Sequence, residues 1–314
     1  MTNQRNCYIC GCVRNTGKYI DKIFANIKQI GNCFDSFIII VSYDTSEDNS
    51  YEMLEKYQKV YSNMRLLYNK DKVLSVHRTE RIATARNEIL DEINNMNNND
   101  YNYMIMMDFD DVCSTYSIDT NVILNTLDRD DWDSISFNRK PYYDTWALSI
   151  DVHVYSMLSF EEDMHLKLQE YITEKISKLK PDELLPCYSA FNGLAIYRMD
   201  KFVNCRYEWD IHTSSILIEY LLGNKVLEAN INAYNKKFII DKEIEDCEHR
   251  SFHLLGIIKN NARIRISKKN VFKIPIHKQL ITHIFNSPNS KYIQLVLILL
   301  IVITLATIFF CKYY

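Results

Sequence analysis

Two rhythms of apolar residues alternate along the chain. Residues 7–13 form a short apolar run, after which Ile20, Ile23, Phe24, Ile27 and Ile30 recur at the spacing of one helix face. Residues 37–41 (FIIIV) are apolar without alternation, which predicts a strand buried on both faces. Tyr51, Leu54, Tyr57 and Tyr61 return to the helical period, residues 64–68 read as a third strand, and Ile82, Ala85, Ile89 and Ile93 mark a third helix. A polar loop at 94–100 precedes a fourth strand at 103–107 and a fifth at 132–137. Strand and helix in turn predict an α/β fold: a Rossmann-like, mainly parallel central sheet with helices on both faces. Ligands of such sheets bind beyond the carboxyl ends of the strands, so the residues that follow each strand carry the functional signal.

Beyond residue 150 the pattern is less regular. Residues 161–179 and 212–222 read as helices, 187–197 as a strand containing Asn192-Gly193, and 262–266 as extended. Residues 293–311 (IQLVLILLIVITLATIFFC) are apolar all round and bracketed by Lys291 and Lys312. A helix of about 19 such residues spans close to 30 Å, so the segment is expected to be a single-pass C-terminal transmembrane anchor. So late a span reads as a tail anchor, with the folded domain facing the cytosol. Lys268, Lys269, Lys273, Lys278 and Lys291 fit a cytoplasmic flank able to touch anionic headgroups. The expected organisation is one domain over 1–275, a basic juxtamembrane linker over 276–292 and the anchor over 293–311.

Composition narrows the function classes. With 47% hydrophobic and 25% charged residues the chain is globular rather than disordered or fibrous. A net charge of -3 offers no electrostatic case for nucleic acid as a partner. Only six glycines are present, and neither GxGxxG nor GxxxxGK[ST] occurs, which removes dinucleotide binders of the usual pattern and P-loop NTPases. The nine cysteines are odd in number and scattered, and are expected to be reduced thiols. Cys7, Cys10 and Cys12 form a CxxCxC run, but within an apolar strand and without a second ligand pair they read as core thiols before zinc ligands.

The strand ends are polar. Arg14 and Asn15 follow the first strand, Ser42, Tyr43 and Asp44 end the second, and Asp108-Phe109-Asp110-Asp111 follows the fourth. Two carboxylates two residues apart at a strand end can face one divalent cation, which in turn can neutralise a diphosphate. The competing reading of Asp108-Phe109-Asp110 is an acidic turn. Arg78, Arg81 and Arg86, with Asn87, lie on or before the third helix, and Arg86 flanks its apolar stripe. A guanidinium there can hold phosphate or carboxylate, or simply pair with Glu80 or Glu88. His249 and His253 are four apart beside Glu248, which is metal-ligand spacing on a helix and equally the spacing of two core or solvent histidines.

Taken in order, Val13-Arg14-Asn15, Tyr43-Asp44, Arg81-Ile82-Ala83 with Arg86-Asn87, Met107-Asp108-Phe109-Asp110-Asp111-Val112, Tyr143-Asp144-Thr145-Trp146-Ala147, Phe191-Asn192-Gly193 and Cys247-Glu248-His249 through His253 resemble a GT-A glycosyltransferase. The group it is similar to includes fungal capsule-associated α-1,3-mannosyltransferases and giant-virus glycosyltransferases, and the resemblance runs from about residue 7 to 272. It implies a GT-A-like fold, a UDP- or GDP-linked sugar donor, Mn²⁺ or Mg²⁺, and a hydroxyl acceptor on a glycan, protein or lipid. Arg14, Asn15, Asp44, Arg81 and Arg86 would hold the donor with Asp108. Asp108 and Asp110 would hold the metal, with His253 or His249 completing its shell. Glu248 and Asp144 would be catalytic, and Tyr143, Trp146, Asn192 and Gly193 would shape the substrate pocket. Two other classes stay open. Asp108-Phe109-Asp110-Asp111-Val112 loosely matches the nucleophile motif of HAD-like phosphatases, with Asp108 as nucleophile. A non-catalytic, membrane-tethered nucleotide-sugar binder would need the same residues without turnover.

Overall fold

Within the computed structural model, residues 4–68, 75–96, 98, 100–151, 164–210, 235–240 and 245–273 are described. The strands among them form one sheet. β1 (Asn6–Val13), β2 (Ser36–Tyr43), β3 (Met64–Leu67) and β4 (Tyr103–Met107) are its parallel half: β1 pairs with β2 and with β4, and β2 pairs with β3. Ile39, Ile40 and Val41 of β2 are fully buried, the two-sided burial that the unbroken apolar run predicts.

α1 (Gly17–Gly31) buries Ile20, Ile23, Phe24, Ile27 and Ile30, and it packs beside α2 (Ser50–Val60). α3 (Arg78–Met96) packs Ala83, Ile89, Leu90 and Ile93 into a core with Tyr8, Cys10 and Ile40. Right-handed crossovers put α1 and α2 on one face and α3 on the other, because the chain reverses direction across the sheet after β3. β4 returns to the far side of β1, so neighbouring connections leave β1 and β4 in opposite directions. The crevice this opens at their carboxyl ends is where such sheets take ligands.

The other half is mixed, and the sheet as a whole is mainly parallel, as expected. The strand order is β3-β2-β1-β4 and then β7 (Leu194–Arg198), β5 (Ser134–Phe137), β8 (Ile264–Ser267) and β6 (Leu184–Pro186). β7 runs antiparallel to β4 and to β5. β5 is parallel to β8, and β6 is antiparallel to β8. The single strand expected over 187–197 is therefore corrected. Asn192 and Gly193 take φ of 59° and 90°, which no strand accommodates, and pairing resumes only at Leu194.

Three further helices follow β4 and β5: α4 (Asp111–Ser114), α5 (Thr120–Leu127) and α6 (Met164–Lys178). α7 (Glu248–Asn260) joins α3 on its face of the sheet and ends on Asn261 in the left-handed conformation. Cys7 and Cys10 are fully buried in β1, and Cys12 lies at the crevice end of the same strand.

The chain divides into two units, Met1–Val271 and Phe272–Tyr314. The expected linker over 276–292, the anchor over 293–311 and the helix over 212–222 lie outside the described residues. Among the described residues no helix is long and apolar enough to cross a membrane.

Two contacts in this frame give direct tests. A Cβ on Gly11 would stand 2.1 Å from the Phe109 ring, so β1 has to carry glycine there for Phe109 to enter the core. Gly11→Ala is expected to cost about 2 kcal/mol through overpacking, read as a lowered urea midpoint. An unchanged midpoint would show that Phe109 moves without penalty.

Asp133 is buried and accepts from the Arg263 backbone N–H (2.8 Å), Nε (2.9 Å) and Nη2 (3.1 Å). Burial pushes its carboxyl up, and the hydrogen bonds from Arg263 outweigh that and hold it below its ordinary value. A depressed folded pKa means that Asp133 contributes stability above about pH 4, and that the contribution is lost as pH falls through the folded value. Asp133→Asn is expected to cost about 2 kcal/mol at pH 7 and to converge on the wild type in acid. Unfolding curves that stay equally far apart at pH 7 and pH 3 would place the effect elsewhere.

Candidate active site

The carboxyl ends of β1, β2 and β4 contribute Arg14, Asp44 and Asp108-Phe109-Asp110 to one cleft of about 270 Å³, whose opposite wall is the start of α3 with Arg78, Arg81 and Arg86. A second hollow of about 280 Å³ shares Arg78, Ile82, Arg86 and Asp108 with the first. It continues to Tyr143, Asp144, Thr145 and Trp146, to His165 on α6, and to Glu248 and His249 on α7. The two hollows thus form one groove with Asp108 at the joint.

Strand alternation sets the acidic motif. Phe109 points into the core, edge-on to Phe24 at 6.3 Å. Asp108 and Asp110, on either side of it, line the groove. The Asp108 backbone N–H donates to the Gly193 carbonyl at 2.9 Å. Asp110 caps α4, its Oδ1 accepting from the Val112 N–H at 2.9 Å. Burial and the neighbouring Asp110 push the Asp108 carboxyl well above the usual carboxylate range, against the pull of Arg86. Burial and Asp111 likewise raise Asp110, against its backbone hydrogen bond. Two crowded, desolvated carboxylates favour a proton or a cation.

Arg86 is the central cation. It is 6% exposed, donates through Nη1 to Glu248 Oε1, and holds Nη2 3.5 Å from Asp108 Oδ1. Its guanidinium lies 5.0 Å from the Phe191 ring centroid and 5.6 Å from that of Tyr207. Neither Glu80 nor Glu88 is its partner, because α3 turns Arg86 into the groove. Arg81 donates to the Ser75 carbonyl at 2.6 Å and the Val76 carbonyl at 3.2 Å, which holds the segment before α3 against the helix. Arg14 stands 3.9 Å from Asp44 across the mouth.

The turn 143–147 is built from behind. Asn192 Oδ1 accepts from the Tyr143 and Asp144 backbone N–H groups at 2.9 and 3.0 Å, and its amide donates to the Phe137 carbonyl at 2.8 Å. Asp144 Oδ1 accepts from the Ala147 N–H at 2.9 Å, and burial raises its pKa. Arg250, 1% exposed, donates to Asp246 Oδ2 at 2.8 Å, to the Trp146 carbonyl at 2.9 Å and to Ser149 Oγ, tying the turn to α7. Tyr143 is 45% exposed at the open side of this hollow.

Several expected site residues take other positions. Asn192 is 2% exposed and spends its amide on the backbone, so it shapes the turn instead of touching substrate. Gly193 lies behind Asp108: its carbonyl takes the Asp108 N–H, and a Cβ there would come 2.5 Å from Val112. Asn15, with φ 53°, accepts from the Glu47 N–H at 2.7 Å and so braces the loop after β2 beside the groove. His253 is corrected most clearly. It is fully buried, with Nδ1 2.9 Å from Ser189 Oγ and Nε2 3.2 Å from Tyr197 OH. Both nitrogens are engaged in the core, because the helical period of α7 turns His253 one turn further from the groove. Burial, then Arg86 and Arg250, pushes its pKa down to about 3.

His249 does line the groove, at 2% exposure, and neither ring nitrogen has a hydrogen-bond partner among the described residues. Burial first, and Arg86 next, hold its pKa well below the ordinary value, so the ring is neutral. A buried polar group left unsatisfied costs about 1–3 kcal/mol.

Sequence reasoning assigned no role to Thr145, His165 or Arg250. Thr145 Oγ1 and His165 Nδ1 are 2.6 Å apart, and no spacing signal links these two positions. Arg250 stood in plain view beside His249, yet its fork around the 143–147 turn follows from long-range packing. Arg78, counted with the other arginines, lines both hollows.

For a divalent cation, Asp108 and Asp110 fit: two largely desolvated carboxylates, two residues apart, line the same cleft. A third protein ligand does not emerge, since among the described residues no group of three His, Cys, Asp or Glu side chains is spaced to hold a metal ion. Diphosphate oxygens and water would supply the rest of the shell, as is usual for Mg²⁺.

A doubly wound sheet with an acidic pair and arginines at its switch point is the architecture of a nucleotide-binding α/β protein. The glycosyl transferase family 2 profile matches residues 8–195, which is more than half of the chain, and the protein belongs to that family. Membership supports a glycosyltransferase over a phosphatase. No curated protein sequence matches.

Similar solved structures include the mannosyltransferase PcManGT from Pyrobaculum calidifontis in complex with GDP-Man and Mn²⁺, at 11% identity and TM-score 0.40, covering 66% of this chain and 48% of that one. S. aureus TarS 1-349 is 11% identical at TM-score 0.44, covering 90% of this chain and 66% of that one, and its complex with UDP-GlcNAc scores 0.43. The chain thus spans about half to two thirds of these solved chains.

Proposed function

We propose that the protein moves a hexose from a UDP- or GDP-linked donor to a hydroxyl acceptor, with Asp108 and Asp110 as the metal-holding pair. The observation that carries this is the crowded carboxylate pair at the joint of a two-part groove walled by arginines. Arg14 and Asp44 lie at the end suited to the nucleoside, while Arg78, Arg81 and Arg86 approach the place of the diphosphate. A bound Mn²⁺ or Mg²⁺ would there neutralise the departing nucleoside diphosphate. The sugar then occupies the inner hollow, and the acceptor enters past Tyr143, His165 and Trp146. Asp144, whose carboxyl is raised by burial, is suited to take the acceptor proton, and Glu248 on the Arg86 guanidinium orients the reacting hydroxyl.

The motif order resembles that of capsule-associated mannosyltransferases and giant-virus glycosyltransferases, and the acceptor is read as a hydroxyl on a glycan, protein or lipid. On the same footing, residues 293–311 are read as a membrane anchor that holds the domain beside its acceptor, which alkaline extraction of membranes tests.

The deciding experiment offers the full-length chain in mild detergent a panel of UDP- and GDP-sugars with Mn²⁺ and measures released nucleoside diphosphate. Release from one donor, with its sugar recovered on an acceptor and both lost in EDTA, is expected. Metal-dependent nucleotide binding without release from any donor would instead support the non-catalytic binder.

A further inference from the structure

The inner hollow holds a side chain that the transfer chemistry above leaves unused. The faces of the His249 ring are fixed by aromatic packing: it stacks on Phe191 at 3.8 Å and 23°, and meets Tyr207 edge-on at 5.6 Å. Its polar edges are what remain. They have no hydrogen-bond partner among the described residues, and the Glu248 carboxylate is 3.9 Å from Nε2, beyond hydrogen-bond reach. A side chain this buried, with a donor and an acceptor both unpaired, calls for a ligand or a water that pairs them.

One observation separates this residue from metal binding: no trio of His, Cys, Asp or Glu with metal spacing exists among the described residues. Position separates it from the acceptor. The diphosphate belongs at the joint formed by Asp108, Arg78 and Arg86, so the group directly beyond it is the transferred sugar. His249, at 2% exposure, borders the deep part of that hollow, whereas Tyr143 at 45% exposure stands at its opening.

We propose that His249 hydrogen-bonds a hydroxyl of the transferred sugar and thereby selects among donors that share one nucleotide. The inference rests on the sugar-transfer reading. A neutral imidazole presents one donor and one acceptor, which is what a sugar hydroxyl can pair with as acceptor and donor in turn. A site built to hydrogen-bond a hydroxyl rejects ligands that place it elsewhere, because its own buried groups are then left unpaired.

Calorimetry on the full-length protein with Mn²⁺ tests this, using UDP, GDP, UDP-GlcNAc, UDP-glucose and GDP-mannose as probes. His249→Phe preserves the stack on Phe191 and removes both polar atoms. His249→Asn restores a donor and an acceptor. His249→Phe is expected to bind the free nucleoside diphosphate as the wild type does. It should bind the preferred nucleotide-sugar about tenfold more weakly, the worth of one hydrogen bond, with reduced preference over other sugars on the same nucleotide. His249→Asn should recover part of the difference. Loss of Mn²⁺-dependent binding of the free diphosphate would make His249 a metal ligand and overturn the proposal. Equal loss for diphosphate and nucleotide-sugar, or no loss for either, would overturn it as well. Wild-type protein that binds none of the nucleotides would instead defeat the transfer reading itself.

Discussion

Asp110→Asn is expected to abolish measurable sugar transfer, by about a thousandfold or more, while leaving the fold intact. The choice of asparagine follows from the two jobs of this side chain. Asp110 Oδ1 caps α4 through the Val112 N–H, and asparagine caps a helix about as well as aspartate. What asparagine cannot supply is the second negative charge beside Asp108. With one carboxylate in place of two, a divalent cation loses much of its reason to bind, and the leaving diphosphate loses its countercharge. The measurements are Mn²⁺-dependent nucleoside diphosphate release and a thermal melt on the same preparation. A variant that melts like the wild type and still turns over at a comparable rate would remove the acidic pair from the mechanism. Asp110→Ala is the weaker probe, since it also discards a cap worth about 1 kcal/mol.

The second large effect is on stability. Arg86→Met should destabilise the domain by about 4 kcal/mol, the usual consequence of deleting one side of a buried ion pair. The cause is what stays behind: Glu248 is 5% exposed, and Asp108 is already crowded by Asp110. In a domain of this size that corresponds to a melting temperature lower by about 10 °C. A double variant separates charge from packing. Arg86→Met with Glu248→Gln removes both members of the closest pair and should recover about half of the lost stability, with transfer still absent. If the double variant melts no higher than the single one, the stabilisation comes from the stacking of Arg86 on Phe191 and Tyr207, 5.0 and 5.6 Å away, and not from the ion pair.

Much of the site was legible because it is local. The Asp-Phe-Asp spacing on a strand end forces Phe109 inward and both carboxylates outward, whatever the rest of the chain does. The apolar stripe of α3 likewise placed Arg86 at the margin of a buried face, and Arg14 and Asp44 followed from strand ends alone. The failures share the opposite character. His249 and His253 share one helix face, but only the packing of α7 against β7 and β5 reveals that one borders the groove while the other bonds Ser189 and Tyr197 in the core. Asn192-Gly193 looked like part of a substrate pocket. It is a turn whose side chain and carbonyl hold up Tyr143, Asp144 and Asp108 from behind.

Hydrophobic periodicity and strand-end polarity therefore determined an α/β sheet, its first four strands, their helices, and the location of an acidic, arginine-lined site. These depend on contacts within one strand or one helix turn, which the chain encodes residue by residue. The tertiary structure alone decided that β7 runs antiparallel between β4 and β5, that Arg86 pairs with Glu248 across 162 positions, and that His249 is left buried and unpartnered. Those are outcomes of packing between segments far apart in the chain, where burial and charge are set by neighbours that no local pattern announces.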